Sequence, residues 1–349
     1  MRSIHAWSLA LGLLFVLGCG SGKSRDGKHR VVKLSATGSS FLLRLMQVWA
    51  VKAEPTGVRV DYISTGSTKG ILDMLNRETD FGCTDAPLSE EQLQKAGGRD
   101  KVLHVPLAMG AVVAVYNLPA LGDKFLQLNG QVLADIYLGA IKNWNDPAIA
   151  SLNPGVDLPN LPITVCRRSD GSGTTYIFTS YLSGSSAAFK EKVGPGTQPK
   201  WVTGVGQGGL KNDGVAALVE STPGAIGYVE LTYALDKKKL RTAKLQSADG
   251  SEFVEPTIGS VTAAAAGIQV PENLVFELVN VKGKGVYPAC GTVWAVTRTD
   301  TPKAEGIRKF LTWALSLEGQ ALAAPEHYAP LPEPLACKAV KALEKLAGK

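Results

Sequence analysis

From residue 31 onward, segments with strand texture alternate with segments of helical periodicity, which confines the chain to an α/β fold with sheets flanked by helices. Residues 31–36, 58–63, 81–84, 102–107 and 111–116 are the apolar, β-branched runs of this first stretch. Between them, residues 40–53 place Phe41, Leu45, Val48 and Trp49 on one helical face, and Ser67 opens a helix to Asn76. Ser89-Glu90-Glu91-Gln92 has capping-box spacing for a helix to Ala96. After Asn117 the loops lengthen. The pattern there predicts helices over 132–141, 174–182, 213–220 and 260–266, strands over 163–167, 225–230 and 293–297, and closing helices over 302–317 and 335–347. At 349 residues with 45% apolar side chains, the chain has material for about two domains of ordinary size.

The leader is of another kind. Residues 6–18 form an apolar block of 13 residues, shorter than the roughly 18 needed to cross a bilayer. With Arg2 ahead of it and small Gly18 at its end, the block has the order of an export signal, 1–18. Cys19 follows at once, and Val16-Leu17-Gly18-Cys19 is similar to the lipobox of bacterial lipoproteins, which implies that Cys19 carries lipid. Each buried methylene of an acyl chain contributes about 0.8 kcal/mol, so two or three chains hold a soluble domain at a membrane. Residues 19–30, polar and Gly-rich after the Cys, read as anchor and flexible tether.

The formal net charge of +6 falls to +5 with the loss of Arg2, and its basic residues are dispersed without interleaved aromatics. That argues against nucleic acid as a partner and fits small anions. Cys83, Cys166, Cys290 and Cys337 remain in the mature chain, and three full pairings stay open. Their spacing, with only His29, His104 and His327 alongside, suggests neither a metal site nor a cofactor.

The chemistry concentrates at three strand-to-helix junctions. Arg167-Arg168-Ser169-Asp170-Gly171-Ser172-Gly173-Thr174 combines glycines that let N–H groups converge, hydroxyls, and the positive end of a helix dipole, a ready site for an oxyanion. Arg168 can present a bidentate fork and Asp170 can hold it. Gly38-Ser39-Ser40-Phe41 and Thr65-Gly66-Ser67-Thr68-Lys69-Gly70 repeat the device, though each alone also suits a plain N-cap. Phe81-Gly82-Cys83-Thr84-Asp85-Ala86-Pro87 adds a carboxylate. An acid in an anion site accepts a hydrogen bond from an anion that still carries a proton, and rejects one that is fully ionised. A turn-capping role before Pro87 is the other reading of Asp85.

With those motifs in order, the chain resembles the phosphate-binding protein of the bacterial phosphate ABC importer. ATGSSF, DFGCTDAPLS, VLADIYLGAIKNW, VCRRSDGSGTTYIFTSYL and KNDGVAALVESTPGAIGYVE carry the resemblance, which runs from about Val31 to Tyr328 and is weakest over 242–284. It implies an α/β, two-lobed periplasmic-binding-protein fold of type II, closing by hinge motion, with lobe 1 over 31–116 plus 288–349 and lobe 2 over 117–287. It implies phosphate contacts at Ser40, Phe41 N–H, Ser67, Asp85, Arg168, Ser172, Gly173 N–H and Thr174, with Asp170 orienting Arg168. Ser40 stands where Thr is usual, and Lys69 where a small residue is usual, making the cleft mouth more basic or pointing to solvent. The partners implied are inorganic phosphate and the permease subunits of an ABC importer, the place is the periplasm or cell surface, and the state is monomeric.

Three other readings compete. Gly204-Val205-Gly206-Gln207-Gly208-Gly209 matches G-x-G-x-x-G, with Glu230 beyond it, as in a dinucleotide-dependent enzyme; the strand before it could be only 200–203. A secreted phosphatase would use Ser172, but no G-x-S-x-G elbow surrounds it and no His is tied to it; His104 reads as a core residue. A receptor for another tetrahedral oxyanion differs from a phosphate receptor chiefly in what Asp85 would do.

Overall fold

The computed structural model describes residues 31–347 apart from positions 123, 236, 238 and 267, so the export signal, Cys19 and the tether lie outside the described residues. The strands are β1 Val32–Gly38, β2 Val58–Ser64, β3 Phe81–Thr84, β4 Val102–Tyr116, β5 Gln127–Leu128 and β6 Thr164–Arg168. They continue as β7 Gln207–Gly209, β8 Ala225–Glu230, β9 Arg241–Thr242, β10 Lys244–Gln246, β11 Phe253–Val254 and β12 Cys290–Arg298. Among the described residues, nine form one sheet in the order β2-β1-β3-β12-β4-β8-β6-β7, with β9 beside β4, while β11, β10 and β5 form a small second sheet.

β4 organises the molecule. Residues 102–111 pair with β12 and Val112–Tyr116 pair with β8, and every residue of the strand is buried. β1 and β3 are parallel to each other, β12 is antiparallel to both β3 and β4, and β8 is antiparallel to β4 with β6 parallel to β8. β1 and β3 therefore run with β4 while β6 runs against it. The carboxyl ends of the two sets face each other near the middle of β4, where ligands of open α/β sheets collect.

The helices are α1 Leu43–Lys52, α2 Ser67–Leu75, α3 Glu90–Lys95, α4 Gly130–Tyr137, α5 Pro147–Ala150, α6 Gly173–Ser185 and α7 Ala187–Lys192. After them come α8 Lys211–Ser221, α9 Thr232–Leu235, α10 Ile258–Ala265, α11 Ala304–Ala314, α12 Leu317–Ala321 and α13 Glu333–Ala342. The capping box before α3 is present in full: Ser89 Oγ accepts from Gln92 N–H and Gln92 Oε1 accepts from Ser89 N–H. α1 is pinned across the core by Trp49 Nε1, which donates to Gly319 O at 2.8 Å. Phe178 stacks on Tyr228 with ring centroids 4.2 Å apart, fixing the phenol that supports Arg168.

Four sequence expectations are corrected. The two strands expected over 102–107 and 111–116 are the single β4; Pro106 does not end it, because a bulge lets Trp294 pair with Pro106 and Val293 with Ala108. No strand occupies 200–203, and Gly208 and Gly209 themselves lie in β7, parallel to β6. The helix expected over 302–317 breaks after Ala314, since Ser316 Oγ accepts from Gly319 N–H and caps α12 as a new helix. The one expected over 335–347 ends at Ala342 and passes into a 3-10 turn over Leu343–Lys345.

Candidate anion-binding site

The three junctions meet at the centre of β4. At the end of β1, Ser39 N–H donates to Cys83 O at 2.9 Å, tying this turn to the strand that leads into Asp85. Tyr62, Tyr233 and Tyr328 donate their hydroxyls to the carbonyls of Ser39, Ser40 and Phe41 at 2.6, 2.7 and 2.6 Å. Those bonds occupy the turn's carbonyl acceptors, which would otherwise face an anion with their negative ends. Phe41 N–H donates to Ser39 Oγ at 2.9 Å, and the Ser39 hydroxyl favours the ionised form of Asp85.

The second junction approaches the third closely. Gly66, at φ +89°, precedes α2, and a Cβ there would stand 2.7 Å from Asp170 Oδ2, so only glycine fits on both conformational and steric grounds. Ser67 is buried, and its Oγ accepts from Asp85 N–H at 3.4 Å. Thr68 N–H reaches Gly171 O, and Thr68 Oγ1 reaches Thr197 Oγ1 at 3.1 Å. Lys69 points along its own helix to Asp73 and, at 3.5 Å, to Glu78; Asp73 also accepts from Thr37 Oγ1 at 2.7 Å. The Asp73 bond raises the Lys69 ammonium above its ordinary value.

At the third junction, β6 delivers Arg168 and α6 begins. Arg168 Nε and Nη2 form a fork onto Asp170 at 2.8 and 2.6 Å, and Lys211 N–H adds a third bond to the same carboxylate at 3.0 Å. Burial works against the ionised Asp170, yet these bonds and the Arg168 charge outweigh it and hold the acid below the ordinary range. Ser172 Oγ caps α6 by accepting from Thr175 N–H at 3.1 Å, which leaves its hydroxyl hydrogen unassigned. Gly173 backs onto Asp85, where a Cβ would come within 2.7 Å of the Asp85 N, Cβ and Cγ atoms. Thr174 Oγ1 lies 3.4 Å from Asp85 Oδ2.

Asp85 Oδ1, an acceptor, and Arg168 Nη1, a donor, are buried in this cluster without a protein partner. The residues are 2% and 3% exposed, so water does little to satisfy either. Burial pushes the Asp85 carboxyl up to about 7, against the pull of the Ser39 bond, the Arg168 charge and Thr174. The pair thus offers one strong donor and one strong acceptor beside a ring of hydroxyls. A tetrahedral oxyanion that retains a proton matches both.

The structure brings together Ser40, Ser67, Asp85, Arg168, Gly173 and Thr174, and it adds Asn212, which sequence reasoning passed over. Asn212 is fully buried at the start of α8 and donates from Nδ2 to Ser40 Oγ at 2.9 Å and Thr174 Oγ1 at 3.3 Å. The motif KNDG was in view, but an Asn at a helix start reads as a cap, and its partners are 172 and 38 residues away. Glu230, the acid of the dinucleotide reading, is wholly buried at the end of β8; its Oε2 accepts from Thr232, and burial pushes it up to about 8. With the last two glycines of the motif inside β7 and this acid in the core, that reading has no cradle for a pyrophosphate. His104 is also in the core, where its Nε2 accepts from Leu88 N–H and burial lowers it to about 4. Cys83, Cys166 and Cys290 are buried free thiols, and Cys337 is an exposed one. The described residues contain no group of three or more His, Cys, Asp or Glu placed to hold a metal.

A family model described as the PBP superfamily domain matches residues 23–318. The phosphate-binding protein PstS of Xylella fastidiosa strain Temecula1 is 42% identical over 307 residues, covering 86% of this chain and 82% of that one. PstS of Pasteurella multocida is 40% identical over 306 residues, with 86% of each chain covered. Among solved structures, the phosphate-binding protein of Stenotrophomonas maltophilia superposes with a TM-score of 0.69 at 17% identity, over 89% of this chain and 93% of that one. An ABC-type phosphate transport receptor from Vibrio cholerae gives 0.58 at 19%, over 86% and 100%. At such identities the structures speak for the fold.

Proposed function

We infer, for a chain that belongs to the PstS family of phosphate-binding proteins, that it binds inorganic phosphate outside the cytoplasmic membrane and hands it to the permease of a phosphate ABC importer. The observation that carries this reading is the buried, unpartnered pair Arg168 Nη1 and Asp85 Oδ1. Arg168 donates from Nη1 to an anion oxygen, while its Nε and one Nη2 hydrogen are spent on Asp170. Asp85 accepts from the proton of a hydrogen phosphate, while sulfate brings no proton and meets a carboxylate. Ser40, Ser67, Ser172 and Thr174 donate hydroxyl hydrogens, and the α6 start adds the Gly173 N–H. The chemistry is recognition, closure and handover, with no bond made or broken.

The chain folds as two lobes, 31–116 plus 288–349 and 117–287, with the anion between them. Support comes from β4, which pairs with β12 in its first part and with β8 in its last, and from the strand ends that converge between. The protein is a monomer, exported by residues 1–18 and lipid-anchored through Cys19. No helix among the described residues is long and apolar enough to cross a membrane. Mass spectrometry of the mature N-terminus tests the anchor: the expected first residue is an acylated Cys19, and an unmodified or uncleaved start contradicts it.

Calorimetric titration of the mature protein with phosphate, arsenate and sulfate tests the receptor itself. Phosphate and its isostere arsenate should bind and sulfate should not compete at comparable concentration. Tight sulfate binding would instead make this a receptor for ionised oxyanions.

A further inference from the structure

We propose that Asn212 sets the hydrogen-bond polarity of the site, forcing the Ser40 and Thr174 hydroxyls to act as donors toward the bound anion. The inference rests on the phosphate-receptor reading and adds a positioning residue to it.

The side-chain amide has a determined orientation. Asn212 Oδ1 accepts from Glu230 N–H at 3.0 Å, so the oxygen faces the end of β8 and Nδ2 faces the other way. An amide flipped by 180° would set Nδ2 against that N–H, donor against donor. Nδ2 has two hydrogens, and two hydroxyl oxygens stand before it: Ser40 Oγ at 2.9 Å and Thr174 Oγ1 at 3.3 Å. The Asn212 backbone N–H also faces Ser40 Oγ, at 3.4 Å. Each hydroxyl has one hydrogen and two lone pairs. Once it accepts from Asn212, its hydrogen is free to turn elsewhere. For Thr174 that direction is Asp85 or an anion oxygen; for Ser40, whose own turn carbonyl is taken by Tyr233, it is the anion.

The same helix start makes a second contact of this kind. Lys211, at φ +58°, donates its N–H to Asp170 Oδ1, the carboxylate that aims Arg168. Residues 211 and 212 therefore bear on the guanidinium and on two hydroxyls at once, from an element that has no expected ligand atom of its own. A plain helix cap would account for one bond to its own first turn; it does not account for an amide whose three bonds all run to other elements.

A double-mutant cycle between Asn212 and Ser40, read by calorimetric titration of the mature protein with inorganic phosphate, tests this. Asn212→Asp is the informative variant: it retains an acceptor for Glu230 N–H and puts an acceptor where Nδ2 donated. The Ser40 hydroxyl hydrogen then turns to the introduced carboxylate. In the wild-type background Ser40→Ala should weaken phosphate binding roughly 10–100-fold, as for a hydrogen bond to a charged group. In the Asn212→Asp background the same substitution should change it less than about 3-fold. Equal losses in the two backgrounds would overturn the proposal, since a structural or purely electrostatic role of Asn212 leaves Ser40's contribution intact. Asn212→Ala supplies the same cycle with no added charge if Asn212→Asp does not fold. Failure of the wild-type protein to bind phosphate would overturn the receptor reading, whereas binding with additive losses would overturn only the role of Asn212.

Discussion

Asp85 and Arg168 hold opposite obligations that no other side chain meets, and the site's selectivity follows from both. Arg168 is anchored by Asp170 on one edge of its fork, so truncating it leaves a half-buried carboxylate with only the Lys211 N–H and removes the anion's main donor. Arg168→Ala should lower phosphate binding by about 3–5 kcal/mol, which calorimetry would read as loss of measurable heat. The Asp85 carboxyl, pushed up to about 7, also fixes the sign of a stability trend. The folded protein retains that proton above the unfolded value near 3.9, so it binds more protons than the unfolded chain between about pH 4 and about pH 7. Stability from this group falls as pH rises through that window. In phosphate-free buffer, the melting temperature of the wild type relative to Asp85→Asn should therefore decline from about pH 5 to about pH 8; a flat or rising difference would contradict it. At this scale much was legible: Arg168 and Asp170 sit two apart beside glycines, and their fork formed as that spacing suggests. Asn212 was not, because nothing local to KNDG indicates that its amide meets Ser40.

At the scale of elements, helix starts do the positioning. α2 brings Ser67, α6 brings Ser172 to Thr174, and α8 supports both through Lys211 and Asn212. The Ser172 cap is a stability element in its own right: Ser172→Ala should cost about 1 kcal/mol in denaturant unfolding, besides any loss of phosphate affinity. A stability change near zero would mean that another group takes over Thr175 N–H. The alternation of strands and helices was readable because amphipathic periodicity is a local property. The continuity of β4 was not, since it depends on a bulge beside Pro106 that forms only against β12, nearly two hundred residues away in sequence. β7 escaped for a similar reason. Its three residues have no strand texture, and β6 alongside is what extends them.

For the whole molecule, the direction of the strands matters more than their number. β1 and β3 end where β6 ends because they run oppositely along one shared strand, and three junctions remote in sequence become one cluster. Lys69, read as making the cleft mouth more basic or as pointing to solvent, is half-exposed and paired with Asp73, and the donors aimed into the cluster come from the convergent helix starts and Arg168. Selectivity belongs to this scale as well, since Asp85 and Arg168 arrive from opposite sides of the convergence. The most direct test of the phosphate-receptor reading is the ratio of phosphate to sulfate affinity, measured by calorimetry for the wild type and for Asp85→Asn. The wild type should prefer phosphate by at least about 100-fold, an unpaired buried acceptor and a like charge each opposing sulfate, and Asp85→Asn should reduce that preference by at least about 10-fold. An unchanged ratio, or a wild type that binds sulfate as well as phosphate, would contradict the role of Asp85 and the phosphate assignment with it.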